Sequence, residues 1–291
     1  MPTAPIVDIV SRIAERTATL RPTEQKVAQH ILADLPAASA ASIAELASSA
    51  GVSTASVTRF AKAMGCVDVR ELKRWLTHAS AIGTRFLEAP RVESGDSTEL
   101  ILQDIVRTLQ ANRALIHLDT VRKAARLLRA ARMIYVFGMG GTSTFIADEA
   151  RFRFVRFGLP AATYQDAVLQ RMVAATMDKR CVTVVFSVTG QVAEALDSIT
   201  IAREYGTKVV AITAIGSPLA KLADVLIPIQ AMETDFVLKP SSSRYAMLMA
   251  LDILATEVAL IDRARSKESL RRIKYVLDAH RGGDERQPLG D

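Results

Sequence analysis

The sequence is short of cysteines and of long apolar runs, and each shortage excludes a class of protein. Its two cysteines, Cys66 and Cys181, stand far apart, which excludes a disulfide framework and a zinc knuckle. No apolar run approaches the roughly 20 residues that cross a bilayer. The N-terminus also lacks the basic start and apolar core of a secretion signal. We therefore expect a cytoplasmic protein with no membrane segment, no metal and no cofactor.

A large excess of one charge is also missing. The net charge of +6 over 291 residues permits a nucleic-acid partner without requiring one. Hydrophobic residues make up 49% of the chain and charged residues 23%, which is an ordinary globular composition. Because the chain is longer than most single cores, its length favours two domains.

A glycine-rich turn stands out in the stretch 133–147, MIYVFGMGGTSTFIA, between an apolar run and a helical pattern. A strand that turns into a helix leaves the first helical N–H groups unpaired, at the positive end of the helix dipole, where a phosphate binds readily. The candidate ligand residues here are Gly138, Gly140, Gly141, Thr142 and Ser143. Such turns also form for packing alone. Since Ser143 stands where a dinucleotide fingerprint needs a third glycine, a dinucleotide is disfavoured.

The first 80 residues have helical periodicity throughout. Apolar residues recur with helical spacing in 6–17, and a second helix, with Thr23 as its candidate cap, is expected to end at Pro36. Ser42 and Glu45 then form a capping box, which predicts the start of another short helix.

A helix-turn-helix follows from the next residues. Gly51 ends the helix that begins at the capping box, and Ser53 caps a further helix that runs to Met64. Two short helices joined by a turn of three or four residues with a glycine are the layout of this DNA-binding motif.

The second of these helices has one apolar face and one polar face. Its apolar residues are Val57, Phe60, Ala61 and Met64, and the candidate DNA-binding residues are Ser53, Thr54, Thr58, Arg59 and Lys62. Small polar groups followed by cations suit a helix that enters the major groove. The net charge of +3 over residues 51–80, to which Arg70, Lys73 and Arg74 contribute, favours phosphate contacts. The alternative is a solvated face of a small helical bundle.

The stretch 81–97 has proline, glycine and mixed charge without a sustained period, so we place a domain boundary there. Thr98 and Asp119 are candidate caps of the two helices that follow, which end near Ile116 and Ala131. The sequence leaves open whether these helices lie against the second domain or pair between subunits.

Strands and helices alternate from residue 133 onward. After the strand that opens the stretch 133–147, the expected strands are 161–164, 181–188, 208–214 and 225–229, with helices between them. This alternation predicts parallel βαβ units and a doubly wound, flavodoxin-like α/β sheet. Ligands in such sheets bind beyond the carboxyl ends of the strands, at the point where neighbouring loops diverge.

A second candidate ligand loop lies at the end of the third strand. It offers Ser187, Thr189, Gly190 and Gln191, and leads into a helix whose first turn holds Glu194, a candidate partner for sugar hydroxyls. The hydroxyl groups also suit ordinary helix caps, and a carboxylate there suits the helix dipole. Ser241, Ser242 and Ser243, at the start of a later helix, either close the site, lie at a subunit interface or cap that helix.

Taken together, these motifs resemble those of the RpiR family of bacterial transcriptional regulators. Residues 1–80 are similar to its helix-turn-helix domain through the Ser42 capping box and the segment 51–62. Residues 119–265 look like its sugar isomerase (SIS) domain through 138–143, 187–190 and 212–224. Between them lie a linker and connecting helix, 81–118, and after them a C-terminal helix and flexible tail, 266–291.

The resemblance implies a regulator that binds double-stranded operator DNA. Its SIS domain is expected to bind a phosphorylated sugar effector or a related metabolite and to form a homodimer or homotetramer. One departure concerns the ligand: the family's phosphate loop commonly reads Ser-x-Ser-Gly-x-Thr, whereas this chain has Thr189 and then Val192 in the hydroxyl positions. A second is the segment Cys66–Val69, which replaces an aromatic-bearing turn and is expected to alter packing.

The competing function is that of a sugar-phosphate isomerase, which needs a base beside the C1–C2 bond. None of the four histidines falls in the two ligand loops, although Glu194 and Glu233 remain possible bases. A DNA-reading domain has no use in an isomerase, so we favour a sensor. The loss of a hydroxyl at Val192 also keeps open a purely structural oligomerisation module.

Overall fold

The computed structural model describes residues 8–87, 97–232 and 240–281, with side chains described for 8–80, 97–232 and 240–280. These residues fall into two compact units, the first holding 8–87 and the second the remainder. None of the helices in the described ranges is long and apolar enough to cross a membrane.

The first unit is helical. Its described α-helices are α1 (Ile9–Arg16), α2 (Pro22–Ala33), α3 (Leu35–Ala40), α4 (Ile43–Ser49), α5 (Thr54–Ala63) and α6 (Val69–Leu87). Their buried apolar faces form one core, which includes Ile13, Ile31, Phe60 and Leu76. α1 is also tied to the end of α5, because the guanidinium of Arg12 donates to the carbonyl of Met64 at 2.8 Å.

Three expectations in this unit were wrong. Thr23 lies inside α2, whose cap is Arg21, and the Arg21 N–H donates to the Glu24 carboxylate at 3.2 Å. α2 stops at Ala33, before Pro36. Pro36 lies in the first turn of α3, where the backbone N–H that proline lacks would have no helical partner. Helix α6 continues through Leu87, whereas no sustained helical period was expected from residue 81 onward.

The second unit begins with α7 (Ser97–Leu115) and α8 (Leu118–Ala130). Thr98 lies within α7, and α8 is capped by His117 without a side-chain bond, so neither Thr98 nor Asp119 is a cap. α7 packs on the second unit itself, since Thr108 and Asn112 bond to Ser242 and Gln230.

The rest of the second unit is the α/β body. It contains β1 (Met133–Gly138), α9 (Gly141–Arg156), β2 (Ala161–Tyr164), α10 (Ala167–Ala174), β3 (Cys181–Ser187), α11 (Ala193–Glu204), β4 (Lys208–Ala214), α12 (Pro218–Leu222), β5 (Val225–Ile229), α13 (Ser243–Ile261) and α14 (Arg263–Arg281). The five described strands are parallel, in the order β2-β1-β3-β4-β5. This is the flavodoxin-like order, and the predicted fold class is confirmed.

Core residues cover both faces of this sheet. Ile134, Val184 and Ile212 belong to a cluster beneath α8, α9 and α13. Phe137, Val185 and Ala211 belong to a second cluster against α10, α11 and α12. β3 is buried along its whole length, as a central strand covered on both faces must be.

Candidate functional site

The two predicted ligand loops leave neighbouring strands at the switch point of the sheet. β1 and β3 are paired, and Gly138 lies opposite Phe186, one residue before Ser187. From these strands the chain runs in opposite directions, to β2 on one side and β4 on the other. The carboxyl ends of β1 and β3 therefore place the two loops next to each other.

The glycines of the first loop serve different purposes. A side chain at Gly138 would meet the Ser143 carbonyl oxygen at 2.1 Å, so Gly138 allows α9 to approach β1 closely. Gly140 has a φ of +81° and precedes α9 without a side-chain cap. Gly141 has open space around it. The first N–H groups of α9 are thus free of a side-chain cap, as an anion site requires.

The second loop is held by its own hydroxyl groups. The Ser187 hydroxyl accepts the Gly190 N–H at 2.9 Å, and the Thr189 hydroxyl accepts the Gln191 N–H at 3.3 Å. Each hydroxyl still has a proton to donate. α11 begins at Ala193 with Val192 as its cap, so Glu194 lies in its first turn as expected.

A third loop, which follows β4, locks the second one in place. The Leu219 N–H donates to the Gly190 carbonyl at 3.1 Å. A side chain at Gly190, whose φ is +64°, would meet the Ser217 hydroxyl at 2.2 Å and the Thr213 hydroxyl at 2.6 Å. Among the described side chains, the Thr213 hydroxyl is one of a few buried polar groups without a hydrogen-bond partner.

A pocket of about 470 Å³ opens beside these loops, beyond the ends of β3, β4 and β5. Its lining residues are Leu115, Val188, Thr189, Gln191, Ala214, Ile215, Ile229, Gln230 and Ala231. Thr189 and Gln191 were predicted site residues, whereas the loop 138–143 does not belong to this lining. No described lining residue carries a charge, so the pocket offers apolar contacts and neutral hydrogen-bonding groups.

The sequence missed most of this pocket. Leu115, Gln230 and Ala231 come from the end of α7 and from the segment after β5, which lie far from the ligand loops in the sequence. No motif marks them. Thr213 had a signal, because it lies one residue before the end of β4, directly opposite Ser187 in the neighbouring strand.

The candidate bases of an isomerase gain no support from the geometry. Glu194 is exposed in the first turn of α11 and is not part of the pocket lining. Glu233 lies outside the described residues. Among the described residues, no group of three or more His, Cys, Asp or Glu side chains is placed to hold a metal ion.

In the first unit, α4 and α5 are capped as predicted. The Ser42 N–H donates to the Glu45 carboxylate at 2.7 Å, and the Glu45 N–H donates to the Ser42 hydroxyl at 3.2 Å. Hydrogen bonds to the Glu45 carboxylate from the backbone N–H and the side chain of Ser42 lower the pKa of Glu45 below its usual 4.5. Ser53 caps α5 by accepting the Ser56 N–H at 3.3 Å, and Gly51, with a φ of +64°, makes the turn between the helices.

The faces of α5 are those expected. Val57, Phe60, Ala61 and Met64 are buried. Ser53, Thr54, Thr58, Arg59 and Lys62 are exposed. The Arg59 guanidinium donates to the Ser56 hydroxyl at 2.9 Å, which holds the side chain near the start of the helix. This exposed face combines hydroxyl groups with cations, as a DNA-reading helix needs.

Lys73 does not belong to this cationic surface. Its ammonium donates to the carbonyls of Ala38, Ser39 and Ala41 at the end of α3. Partial burial lowers the pKa of Lys73, with the Glu45 carboxylate acting in the opposite direction. The expectation that Lys73 helps to hold DNA phosphates was therefore wrong, since its donors already cap a helix.

Known proteins share both units. A model of the helix-turn-helix domain of the rpiR family matches residues 7–82, and a model of the SIS domain matches residues 127–257. The HTH-type transcriptional regulator HexR of Pseudomonas aeruginosa is 34% identical over 273 residues, which cover 93% of this chain and 95% of that protein. HexR of Escherichia coli is 32% identical over 279 residues, covering 94% and 96%.

A solved structure agrees in fold. The structure of Vibrio vulnificus NanR in complex with ManNAc-6P matches with a TM-score of 0.61 and 20% identity, covering 94% of this chain and 98% of that one. Because the chain matches transcriptional regulators over nearly their full length, it is a regulator and not a sugar-phosphate isomerase. The chain belongs to the RpiR family of transcriptional regulators, with an N-terminal helix-turn-helix domain and a SIS domain.

Proposed function

We propose that this sugar-related transcriptional regulator binds a phosphorylated sugar, or a related metabolite, in its SIS domain, and that this binding changes its affinity for operator DNA. The observation that carries the proposal is the uncharged pocket whose lining includes Thr189 and Gln191 of the second ligand loop, on a strand that pairs with the strand leading into the first. The domains we assign are 1–80 for DNA, 81–118 as connection, 119–265 for the effector and 266–291 as C-terminal helix and tail. The site of action is the cytoplasm.

The effector's phosphate binds at the switch point. Its oxygens accept protons from the hydroxyl groups of Ser187 and Thr189 and from the first N–H groups of α9, at 140–143. Helix dipoles supply the positive potential that cations supply elsewhere. Val192 removes one hydroxyl donor, and the glycine loop compensates. NanR, a structural relative, was solved with the sugar phosphate ManNAc-6P, which supports this class of ligand.

The remainder of the effector fills the pocket. The side chains of Gln191 and Gln230 provide amide donors and acceptors for hydroxyl groups, while Leu115, Ile215 and Ile229 contact the carbon skeleton. Glu194, at the start of α11, bonds to sugar hydroxyls at the margin. Neutral polar groups with apolar walls are the usual lining of a small-molecule site.

Operator DNA is bound by the exposed face of α5. Ser53, Thr54 and Thr58 contact base edges or phosphates near the helix start, and Arg59 and Lys62 supply charge. An operator of two half-sites is bound by two copies of the unit. The effector binds the two subunit arrangements with different affinities and therefore favours one of them. In only one arrangement do the two DNA-binding units have the spacing of the half-sites.

The second unit forms the homodimer or homotetramer. On α7, Leu102 and Val106 are 54% and 42% exposed, and the half-buried Ile105 and Leu109 continue this apolar face. Leu102→Glu should shift the mass measured by light scattering toward the monomer. Val67→Glu, at an exposed position of the first unit, is the control. An unchanged mass for Leu102→Glu would remove this face from the interface.

The DNA assignment is tested with a duplex selected from random sequence by the parent protein. Arg59→Ala should bind it more weakly. The slope of the logarithm of affinity against the logarithm of salt concentration should become shallower by about one, as expected for the loss of one phosphate contact. Arg74→Ala, which removes an exposed cation outside α5, should lose less. Equal affinity of Arg59→Ala and parent at every salt concentration would refute the assignment.

The effector site is tested by thermal shift with a panel of pentose and hexose phosphates. A ligand that binds the folded state raises the melting temperature by mass action. A hit should stabilise the parent and stabilise Ser187→Ala much less. Equal stabilisation of both proteins would exclude the Ser187 loop as the phosphate site.

A further inference from the structure

Helix α7 buries polar residues and exposes apolar ones, the reverse of an ordinary surface helix. Asp104, Thr108 and Asn112 follow each other at intervals of four along one face, and all three are buried. Leu102 and Val106, on another face, are exposed. Burying polar side chains is costly unless hydrogen bonds compensate. The bonds of the buried face therefore indicate what holds α7 in place.

Asn112 makes the most specific of these bonds. Its amide oxygen accepts the Gln230 N–H at 2.7 Å, and its amide nitrogen donates to the Gln230 carbonyl at 3.0 Å. The same nitrogen donates to the Thr108 carbonyl at 2.9 Å. Asn112 thus pairs with both backbone groups of Gln230, as a neighbouring strand would. Aspartate or leucine in its place would lose at least one of these bonds.

Thr108 makes a second attachment one turn earlier. Its hydroxyl donates to the Ser242 hydroxyl at 2.8 Å, inside the protein. Gln230 directly follows β5, and Ser242 directly precedes α13. α7 therefore holds the segment between β5 and α13 at both ends. Ser242 stands at the cap position of α13 but makes no side-chain bond to that helix, and its hydroxyl instead anchors α7, a role that the sequence did not predict.

The Asn112 attachment lies at the wall of the pocket. Leu115, three residues after Asn112 on α7, lines the pocket, as do Gln230 and Ala231 after β5. A ligand in the pocket consequently contacts both of the elements that Asn112 joins. A ligand that fits only one placement of α7 against β5 then favours that placement.

In the sequence, α7 is the first described helix after the DNA-binding unit. We propose that Asn112 is a positioning residue that couples occupancy of the pocket to the placement of α7. The placement of α7 then transmits the effect of ligand binding to the DNA-binding unit. This inference rests on the proposed function, because it takes the pocket to be the effector site. The coupling passes through one defined contact between two packed elements, which makes it open to direct test.

Hydrogen–deuterium exchange of the full chain tests the coupling. The probes are inorganic phosphate, glucose 6-phosphate and the pentose and hexose phosphates of the thermal-shift panel. In the parent, a bound probe should slow exchange in peptides covering 187–191 and also in peptides covering 97–115. In Asn112→Leu, which is close in size but cannot pair with Gln230, protection at 187–191 should remain and protection at 97–115 should be lost.

Two further variants keep the test independent of overall stability. Thr108→Val removes the bond to Ser242 but leaves Asn112 intact, so it should retain part of the protection at 97–115. Ser266→Ala removes a buried hydroxyl that donates to the Ala259 carbonyl at 3.2 Å on α13, and it should behave as the parent. If Asn112→Leu does not fold, the graded loss in Thr108→Val carries the same prediction.

The outcomes separate this inference from the proposed function. Full protection of 97–115 in Asn112→Leu overturns the coupling, as does an equal loss at 187–191 and 97–115, which would mark Asn112 as merely structural. Protection of 97–115 without protection of 187–191 in the parent supports the coupling and refutes the phosphate site. Absence of protection at both places with every probe refutes both.

Discussion

Gly190 provides a quantitative test of the site geometry. Its φ of +64° lies in the left-handed region, where any other residue is strained, and a Cβ would approach the Ser217 and Thr213 hydroxyl oxygens to 2.2 and 2.6 Å. The backbone strain is about 1–2 kcal/mol. Overpacking adds about 1–3 kcal/mol, since both neighbours are buried. Gly190→Ala should therefore lower the free energy of unfolding by about 2–5 kcal/mol.

Two other glycines provide matched controls. Gly51 has the same φ of +64° but open space around it, so Gly51→Ala should cost only the backbone strain of about 1–2 kcal/mol. Gly141 has neither a positive φ nor a neighbour within 4 Å, and Gly141→Ala should be close to neutral, within about 0.5 kcal/mol. The three substitutions thus separate strain from crowding.

Urea titration measures these effects in each unit separately. Trp75 is the single tryptophan and packs against the core of the first unit, so its fluorescence follows that unit. Far-ultraviolet circular dichroism follows both units. Gly51→Ala should move the fluorescence transition to lower urea concentration. Gly190→Ala should instead move the circular dichroism transition that has no counterpart in the fluorescence. If Gly190→Ala costs no more than Gly51→Ala, the close packing of Gly190 on the third loop is wrong.

Two further predictions concern the first unit and use the same fluorescence assay. Lys73→Met should lower the free energy of unfolding of the first unit by about 1.5–3 kcal/mol, because three carbonyls at the end of α3 lose a charged donor. Arg74→Met is the control and should change this free energy little. Equal effects of the two substitutions would contradict the capping role of Lys73. The bonds to Ser42 lower the pKa of Glu45, so they contribute stability above pH 4.5 that is lost as the pH falls through the lower, folded-state pKa. In Glu45→Gln, the free energy of unfolding should therefore fall less steeply as the pH drops below 4.5. An unchanged pH profile would show that the Glu45 carboxylate does not contribute to the acid-induced loss of stability.

Strand positions were predictable from the sequence because local chemistry sets them. β2, β4 and β5 begin and end at the predicted residues, where β-branched and apolar runs meet turn residues. Helix starts were predictable where a side chain makes the cap, as at Ser42 and Ser53. α2 and α8 start at residues without a side-chain cap, so no residue type marked them.

The pocket depended on contacts that no local pattern contains. Ser187 and Gly190 were recognisable because a hydroxyl and a glycine follow a buried strand. Leu115 and Gln230 meet only when α7 packs beside β5, and that packing depends on Asn112, which resembles any polar residue of a surface helix. The buried face of α7 carries the polar residues Asp104, Thr108 and Asn112, the opposite of what an apolar stripe would predict.

Operator affinity measured with and without effector tests the central claim most directly. The assay uses the selected duplex, the parent, Ser187→Ala and any sugar phosphate that stabilises the parent. The ligand should change the parent's affinity for the duplex by about 5- to 150-fold, the usual range of coupling between sites, and should change the affinity of Ser187→Ala little. A ligand that stabilises the parent but leaves its DNA affinity unchanged would contradict the account.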